Sequence, residues 1–267
     1  MDSALGFAIA LAISLTGVGA GSMTTPLLIL LLGVSPVTAV GTALTFGAIV
    51  KIASVPGYAW RGQVNGRILR LLLAGGIPGV LAGSFLLDKL KTSRHESSLY
   101  AALGALIVVT AGFHLFRMFR PKQTGMAVDR SGLLPWFALP IGAEVGFSSA
   151  GAGALGSLLL LGFTKLGPSE VVGTDLCFGL GLSAIGSLIQ VGGGNYDSGL
   201  LLRLTIGGLL GALTGSLVSG RIAQRPLRVG LLVMLIGLGS QLALHSVSKQ
   251  QQPQMRAALP KQPVVQP

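Results

Sequence analysis

Two apolar segments, each interrupted by glycines, carry the residues best suited to hold an anion. Each contains a Gly-x-Gly break with hydroxyl side chains close behind it. A half-helix that begins inside a membrane directs N–H groups and a positive dipole end into the cavity, and glycine lets an oxyanion approach that backbone closely. The candidate anion-binding residues are Gly19, Gly21, Ser22, Thr24 and Thr25 in the first segment and Gly151, Gly153 and Ser157 in the second.

Close helix packing is the alternative explanation for glycines in apolar segments. We favour it for Gly75, Gly79 and Gly83, because glycines four residues apart lie on one helix face and let helices approach. For the Gly-x-Gly breaks, packing and anion binding both stay open.

Lys51 lies deep in the second apolar span. A charge at the centre of a bilayer costs about 3 kcal/mol on insertion scales, so the side chain needs a partner or a wet cavity. Lys51 is therefore a candidate cationic contact for the substrate. The alternative is snorkelling of the ammonium toward the membrane surface near Arg61.

Two carboxylates and two matched threonines complete the candidate set. Asp175 could pair with Lys51, relay protons, or cap the first turn of its own helix. Glu144 precedes the second glycine break and is a candidate for proton coupling or for a structural salt bridge. We expect Thr42 and Thr174 to line one cavity, unless their hydroxyls bond back to the preceding turn.

The sequence lacks the residue patterns that metal binding, nucleotide binding and covalent catalysis require. His95, His114 and His245 lie far apart, so no metal site is expected. No phosphate-binding Gly-x4-Gly-Lys-Ser/Thr motif and no nucleophile-base arrangement occurs, so we expect neither a cofactor nor an enzyme. The net charge of +11 comes mostly from Lys and Arg between apolar spans, which favours lipid headgroups over nucleic acid as the partner.

Composition predicts an all-α polytopic membrane protein. Of 267 residues, 51% are hydrophobic, only 10% are charged and 41 are glycine, and the mean hydropathy is +0.75. Soluble domains carry about 25% charged residues. About eight apolar spans are expected, near 4–33, 36–59, 68–88, 97–117, 132–162, 168–191, 199–220 and 228–246.

The sequence repeats itself with an offset of 132 residues, without a gap from Gly19 to Ser84. Internal duplication is common in transporters, whose substrate sites lie where the repeats meet. We read the first span of each repeat as two half-helices that meet at a turn inside the membrane, with Thr25-Pro26 as N-cap and first helical residue of the second half-helix. The predicted regions are repeat 1 (1–118), a basic connecting loop (119–131), repeat 2 (132–247) and a disordered tail (248–267).

The orientation of the repeats depends on whether these broken spans cross the membrane. If they cross, the repeats are parallel and the Lys and Arg counts on the two sides, with Lys51 and the tail excluded, are 8 and 7. If they are re-entrant, the repeats are inverted and the counts are 11 and 4. The positive-inside rule favours the inverted arrangement.

The order and spacing of the motifs resemble the sulfite exporter TauE/SafE family of membrane permeases over about residues 4–246. The residues that carry the resemblance are Gly17-Val18-Gly19-Ala20-Gly21, Pro36-x3-Val40-Gly41-Thr42, Arg61-Gly62-x2-Asn65, Ile77-Pro78-Gly79, Ser149-Ala150-Gly151-Ala152-Gly153, Val172-Gly173-Thr174-Asp175 and Gly207-x3-Gly211-x3-Gly215. The resemblance implies an inner-membrane permease for sulfite, sulfonates or related organosulfur anions, or for other small organic anions. Where a similar subset has Ile-Ala-His after the Asp, this chain has Leu176-Cys177-Phe178, so no role of that His carries over.

Together these features predict a secondary transporter of a small anion in the bacterial cytoplasmic membrane. An anion channel of the same architecture and a non-transporting membrane subunit or assembly factor are the alternatives. The expected partners are the anion and the lipid bilayer, and association into a homo-oligomer stays open.

Overall fold

The computed structural model of the chain describes residues 2–16, 20–92, 96–119, 130–151, 153–218 and 229–244, and within these ranges it contains helices and no strand. A 3-10 turn, Ser131–Leu133, precedes α6. In chain order the helices are α1 (Asp2–Thr16), α2 (Ala20–Leu32), α3 (Pro36–Trp60), α4 (Gly66–Thr92), α5 (Glu96–Phe119), α6 (Leu134–Ser148), α7 (Ala154–Phe163), α8 (Pro168–Gly192), α9 (Ser198–Val218) and α10 (Val229–Leu244).

Five of these helices, α3, α4, α5, α8 and α9, are long and apolar enough to cross a membrane. The chain is therefore an all-α polytopic integral membrane protein, as its composition predicted. The predicted breaks are also present, since α1 ends at Thr16 and α2 begins at Ala20, while α6 ends at Ser148 and α7 begins at Ala154.

The second broken segment is a re-entrant hairpin. α6 has 15 residues and α7 has 10, so at 1.5 Å per residue they are about 22 and 15 Å long, too short to cross a bilayer core of about 30 Å. The N–H of Arg130, before α6, donates to the carbonyl of Phe163 at the end of α7 over 3.1 Å, and the rings of Phe137 and Phe163 lie 4.9 Å apart. The chain thus returns to the side on which it entered.

The first broken segment follows the same course, as the helix directions show. α1 runs parallel to α9, because Gly207 packs on the carbonyl of Ser3 and Gly211 on that of Phe7. A methyl group at either glycine would overlap with the facing backbone, so the spacing of the glycines sets the register. α4 packs on α6 in the same way, with Gly75, Gly79 and Gly83 against the carbonyls of Pro135, Leu139 and Ala143.

α3 also runs parallel to α9. The N–H of Asp197, just before α9, donates to Thr42, and Gly208 further along α9 packs on the ring of Phe46 further along α3. α1 and α3 therefore point the same way, and α2 between them must run back. Of the two alternatives that the sequence left open, the segments 4–33 and 132–162 therefore take the re-entrant course, which the positive-inside rule favoured. Apolar length could not decide this, because crossing or returning depends on helix packing.

The corresponding helices of the two repeats are antiparallel where they meet. Thr45 of α3 bonds Ser187 of α8 over 2.8 Å, and Lys51 of α3 bonds Ser183 of α8 over 2.8 Å, so numbers rise along one helix as they fall along the other. The bounds of α8 follow those of α3 by 132 residues at both ends. This is the geometry of the inverted alternative, with the pseudo-twofold axis across the helices.

One local prediction was wrong. Thr25 and Pro26 do not begin α2, since the helix starts at Ala20 and Pro26 lies inside it. Proline cannot donate the bond of the helix interior, yet the buried packing of α2 against α3 holds the helix through this position. At the start of α3, Pro36 is the first helical residue and the Oγ of Ser35 caps the helix by accepting from the N–H of Thr38.

Candidate functional site

The two hairpins meet near their tips. Thr25 in α2 and Ser149 after α6 share a hydrogen bond of 2.6 Å between their hydroxyl oxygens. The Ser149 hydroxyl also lies 3.1 Å from the carbonyl of Gly21. A Cβ at Gly21 would overlap with the backbone of Ser149. Gly21 is therefore required here for the close approach of the two hairpins, and both candidate glycine breaks face the same central region.

The turn of the second hairpin needs unusual backbone angles. Ser149, Gly151 and Gly153 have φ values of 60°, 88° and 103°. This left-handed region is open to glycine and costly for most other residues. Glycine thus lets the chain reverse inside the membrane, and α7 begins directly after Gly153 with its first N–H groups facing the tip.

Lys51 is buried at the contact between the two repeats. Its side chain is 7% exposed, and Nζ donates to Oγ of Ser183 over 2.8 Å and to the carbonyl of Gly179 over 3.2 Å. Since positions 51 and 183 are equivalent under the offset of 132 residues, their contact lies on the pseudo-twofold axis. The snorkelling alternative is wrong, because the ammonium points into the protein.

Asp175 holds the start of α7. Its Oδ2 accepts a hydrogen bond of 2.5 Å from the hydroxyl of Ser157 in the first turns of α7. The carboxylate lies so close to Gly156 that a Cβ there would overlap with it. The negative charge thus sits by the positive end of a half-helix, where it is stabilised.

Asp175 also faces Lys51 along α8. Asp175, Gly179 and Ser183 are spaced by four residues and share one helix face. Asp175 and Lys51 interact electrostatically, but they do not form an ion pair within 4.0 Å, since the ion pair present in the described ranges joins Arg203 and Asp2. Asp175 therefore makes no direct salt bridge to Lys51 in the described residues. It does not cap its own helix either, because α8 begins at Pro168 and Asp175 lies beyond the first turn.

Glu144 forms a second buried acidic centre in α6. It is 7% exposed and lies against Gly151, where a Cβ would stand 2.7 Å from Oε2. Thr110 on α5 interacts with the carboxylate electrostatically, while its hydroxyl donates to the carbonyls of Leu106 and Ile107 in its own helix. In the part of the chain that the structure describes, Glu144 makes no salt bridge.

Thr42 and Thr174 do not share a cavity. Oγ1 of Thr42 accepts from the N–H of Asp197 over 3.1 Å, and Oγ1 of Thr174 accepts from that of Asn65 over 3.0 Å. Each lies nine residues before the axis contact on an antiparallel helix, which places them about 27 Å apart along the helix axes. Both threonines hold the turn that precedes a long helix.

The remaining predicted residues are in the first hairpin. Thr24 is fully buried in α2, and Ser22 is partly buried one turn from the tip. Gly19 lies outside the described residues. Of the predicted set, the structure therefore brings Gly21, Thr25 and the second glycine break together. It also places Lys51 of α3 against the face of α8 that carries Asp175, without an ion pair between the two.

Sequence reasoning missed three polar residues of this region. Ser183 could have been found, since it stands at the repeat position of Lys51. Ser149 directly precedes the second break, but nothing in its spacing marks it as a partner of Thr25. Thr110 is 34 residues from Glu144 on another helix, and no sequence pattern joins them.

The fold and the site define a membrane transporter, built from two inverted repeats with re-entrant hairpins and a polar centre. The chain belongs to the sulfite exporter TauE/SafE family, whose model matches residues 3–242.

Two curated proteins are similar to it over most of their length. "Probable membrane transporter protein YjnA" of Bacillus subtilis (strain 168) is 27% identical over 247 residues, which cover 89% of this chain and 97% of that protein. A "Probable membrane transporter protein" of Xylella fastidiosa (strain Temecula1 / ATCC 700964) is 24% identical over 219 residues, or 79% of this chain and 81% of that protein. No solved structure matches the chain.

Proposed function

We propose that this protein is a secondary transporter that moves sulfite, a sulfonate or a related organosulfur anion across the bacterial cytoplasmic membrane. The observation that carries the proposal is the buried ammonium of Lys51 on the pseudo-twofold axis, with no carboxylate within 4.0 Å in the described residues. A buried cation that lacks a direct counter-ion has charge to offer an anion.

The hairpins supply the other half of the proposed site. Backbone N–H groups at the first turns of α2 and α7 suit an oxyanion, which needs several donors. Hydroxyls of Thr25 and Ser149 lie beside them. The substrate would bind between these tips and Lys51, and rocking of one repeat against the other would open the site to each side in turn.

Asp175 and Glu144 are the proposed sites of proton coupling. Both are buried carboxylates beside a glycine break, and buried carboxylates inside membranes serve in proton relays. Asp175 is the stronger candidate, because it bonds Ser157 at the start of α7 and faces Lys51 on the other side. Gain of a proton there would strengthen the local positive field for an entering anion.

The test is anion flux into liposomes that contain the purified full chain. Radiolabelled sulfite, sulfate, thiosulfate and a sulfonate are compared, with and without a pH gradient. Lys51→Met removes the charge at similar volume, and Lys89→Met is the matched control, since Lys89 is an exposed lysine near the end of α4. We expect saturable uptake of an organosulfur anion that Lys51→Met abolishes and Lys89→Met retains.

Other outcomes point to the alternatives. Flux that neither saturates nor shows counterflow indicates a channel. Folded protein with no flux of any anion under either gradient contradicts transport and favours a non-transporting subunit. Equal uptake by wild type and Lys51→Met removes Lys51 from the path.

A further inference from the structure

A basic cavity lies at one end of the molecule, away from the proposed anion path. It has a volume of about 380 Å³ and is lined by Arg67, Arg70, Leu71, Ser131 and Gly132. The first turns of α4 supply both arginines, and the 3-10 turn before α6 supplies the opposite wall. Because α4 and α6 run parallel and pack through glycines, these two starts are held side by side.

Arg67 and Arg70 both line the cavity with basic side chains. Neither forms an ion pair with a carboxylate in the described residues. Nε of Arg70 donates to the carbonyl of Gly66 over 3.3 Å, which orients the guanidinium and leaves its terminal nitrogens for another acceptor. Two adjacent guanidinium groups bind a phosphate with paired hydrogen bonds, which a single lysine cannot do.

Two exposed tryptophans indicate where this cavity lies relative to the membrane surface. The chain has two tryptophans, and both lie at this end. Trp60 is the last residue of α3 and is 89% exposed, while Trp136 lies in the first turn of α6 and is 76% exposed. Exposed tryptophans of membrane proteins concentrate at the headgroup level. The cavity therefore opens where lipid phosphates lie.

The fold itself does not require these arginines. The repeat equivalents of Arg67 and Arg70 are Gly199 and Leu202. Nearby at that end, Arg203 is neutralised by Asp2 over 3.0 Å. The start of α9, which corresponds to the start of α4, therefore folds without two such arginines. Folding alone does not explain why Arg67 and Arg70 are present.

We propose that this cavity binds the phosphate of an anionic phospholipid headgroup. The headgroup phosphate sits between Arg67 and Arg70, and the acyl chains extend along the exposed apolar surface beside Trp136. Such a site is separate from the transport path, and it fixes this end of the protein at the anionic leaflet.

The experiment measures binding of fluorescent phosphatidylglycerol and phosphatidylcholine to the full chain in detergent, with inorganic phosphate as a separate competitor. Arg67→Gln/Arg70→Gln removes the cavity charges. Arg61→Gln/Lys165→Gln is the matched control, because it removes two exposed charges from the same end outside the cavity. Arg70→Lys keeps the charge and removes paired hydrogen bonding.

We expect phosphatidylglycerol to bind at least about tenfold more tightly than phosphatidylcholine, since each basic residue near a membrane surface favours anionic lipid by about a factor of five. The preference should disappear in the cavity variant, weaken in Arg70→Lys and persist in the control. Equal losses in both double variants, or no preference in the wild type, would overturn the proposal. Displacement by phosphate at low millimolar concentration would assign the cavity to free phosphate instead of lipid.

Discussion

The two repeats use the same scaffold but carry different buried polar residues. Where the first repeat has Lys51, the second has Ser183, and where the second has Asp175, the first has Ala43. The glycine contacts between helices, in contrast, recur in both repeats. Backbone packing thus follows the pseudo-symmetry, while the charges depart from it.

This difference suggests how an inverted repeat can give a directional site. Identical halves would place the same charge on both sides of the axis, and two buried lysines in contact would repel each other. One lysine and one serine instead form a hydrogen bond of 2.8 Å across the axis. The buried carboxylates Glu144 and Asp175 both stand in the second repeat, so the proposed proton path belongs to one half.

Exchange of the axis residues tests the comparison most strongly. Lys51→Ser should lower anion flux by about 100-fold, because truncation of a buried charge that binds an opposite charge costs 2–5 kcal/mol. Lys51→Ser combined with Ser183→Lys returns the ammonium to the same contact from the other helix. We expect the double variant to recover much of the flux in liposomes. A double variant as inactive as Lys51→Ser would mean that the site does not follow the pseudo-symmetry.

The glycine contacts should respond equally in the two repeats. Gly79→Ala and Gly211→Ala each place a methyl group against a facing carbonyl, and overpacking of this kind costs about 1–3 kcal/mol. Thermal unfolding in detergent should show similar losses for both. Gly112→Ala is the control, since a Cβ there meets nothing within 4 Å. A loss in one repeat alone would contradict the shared scaffold.

The buried carboxylates, Asp175 and Glu144, are tested through proton coupling. Asp175→Asn keeps an acceptor for Ser157 and removes the titrating group. We expect uptake to lose its response to a pH gradient while exchange of labelled for unlabelled substrate persists. Glu144→Gln is the parallel variant, and retention of the response in both variants would exclude the two carboxylates from coupling.

The matched threonines should have the smallest effect. Thr42→Val and Thr174→Val each remove the acceptor of one turn N–H, at about 1 kcal/mol of stability. Because the two threonines lie far from the axis, substrate KM should stay the same. Thr214→Val serves as control, since among the described residues its hydroxyl bonds the carbonyls of Leu210 and Gly211 in its own helix. An altered KM in either variant would indicate that the substituted threonine contributes to substrate binding.

The sequence by itself determined the membrane class, the family resemblance, the starts of the long helices α3 and α8 and the presence of both breaks. These properties follow from local patterns: apolar length predicts a span, and Pro36 and Pro168 mark helix starts. It also singled out Lys51 and Asp175, because an ionisable residue in an apolar span is unusual wherever it occurs.

Tertiary structure alone decided the course of the broken spans and the partners of the polar residues. α7 turns back because α6 packs on α4 in parallel and Arg130 bonds Phe163, contacts that no short window contains. Thr42 and Thr174 resemble each other in sequence yet lie far apart, because the repeats are inverted. Direction and contact depend on packing between segments about 60 residues apart or more, as between Gly79 and Leu139, and a local sequence pattern carries no information about contacts at such a separation.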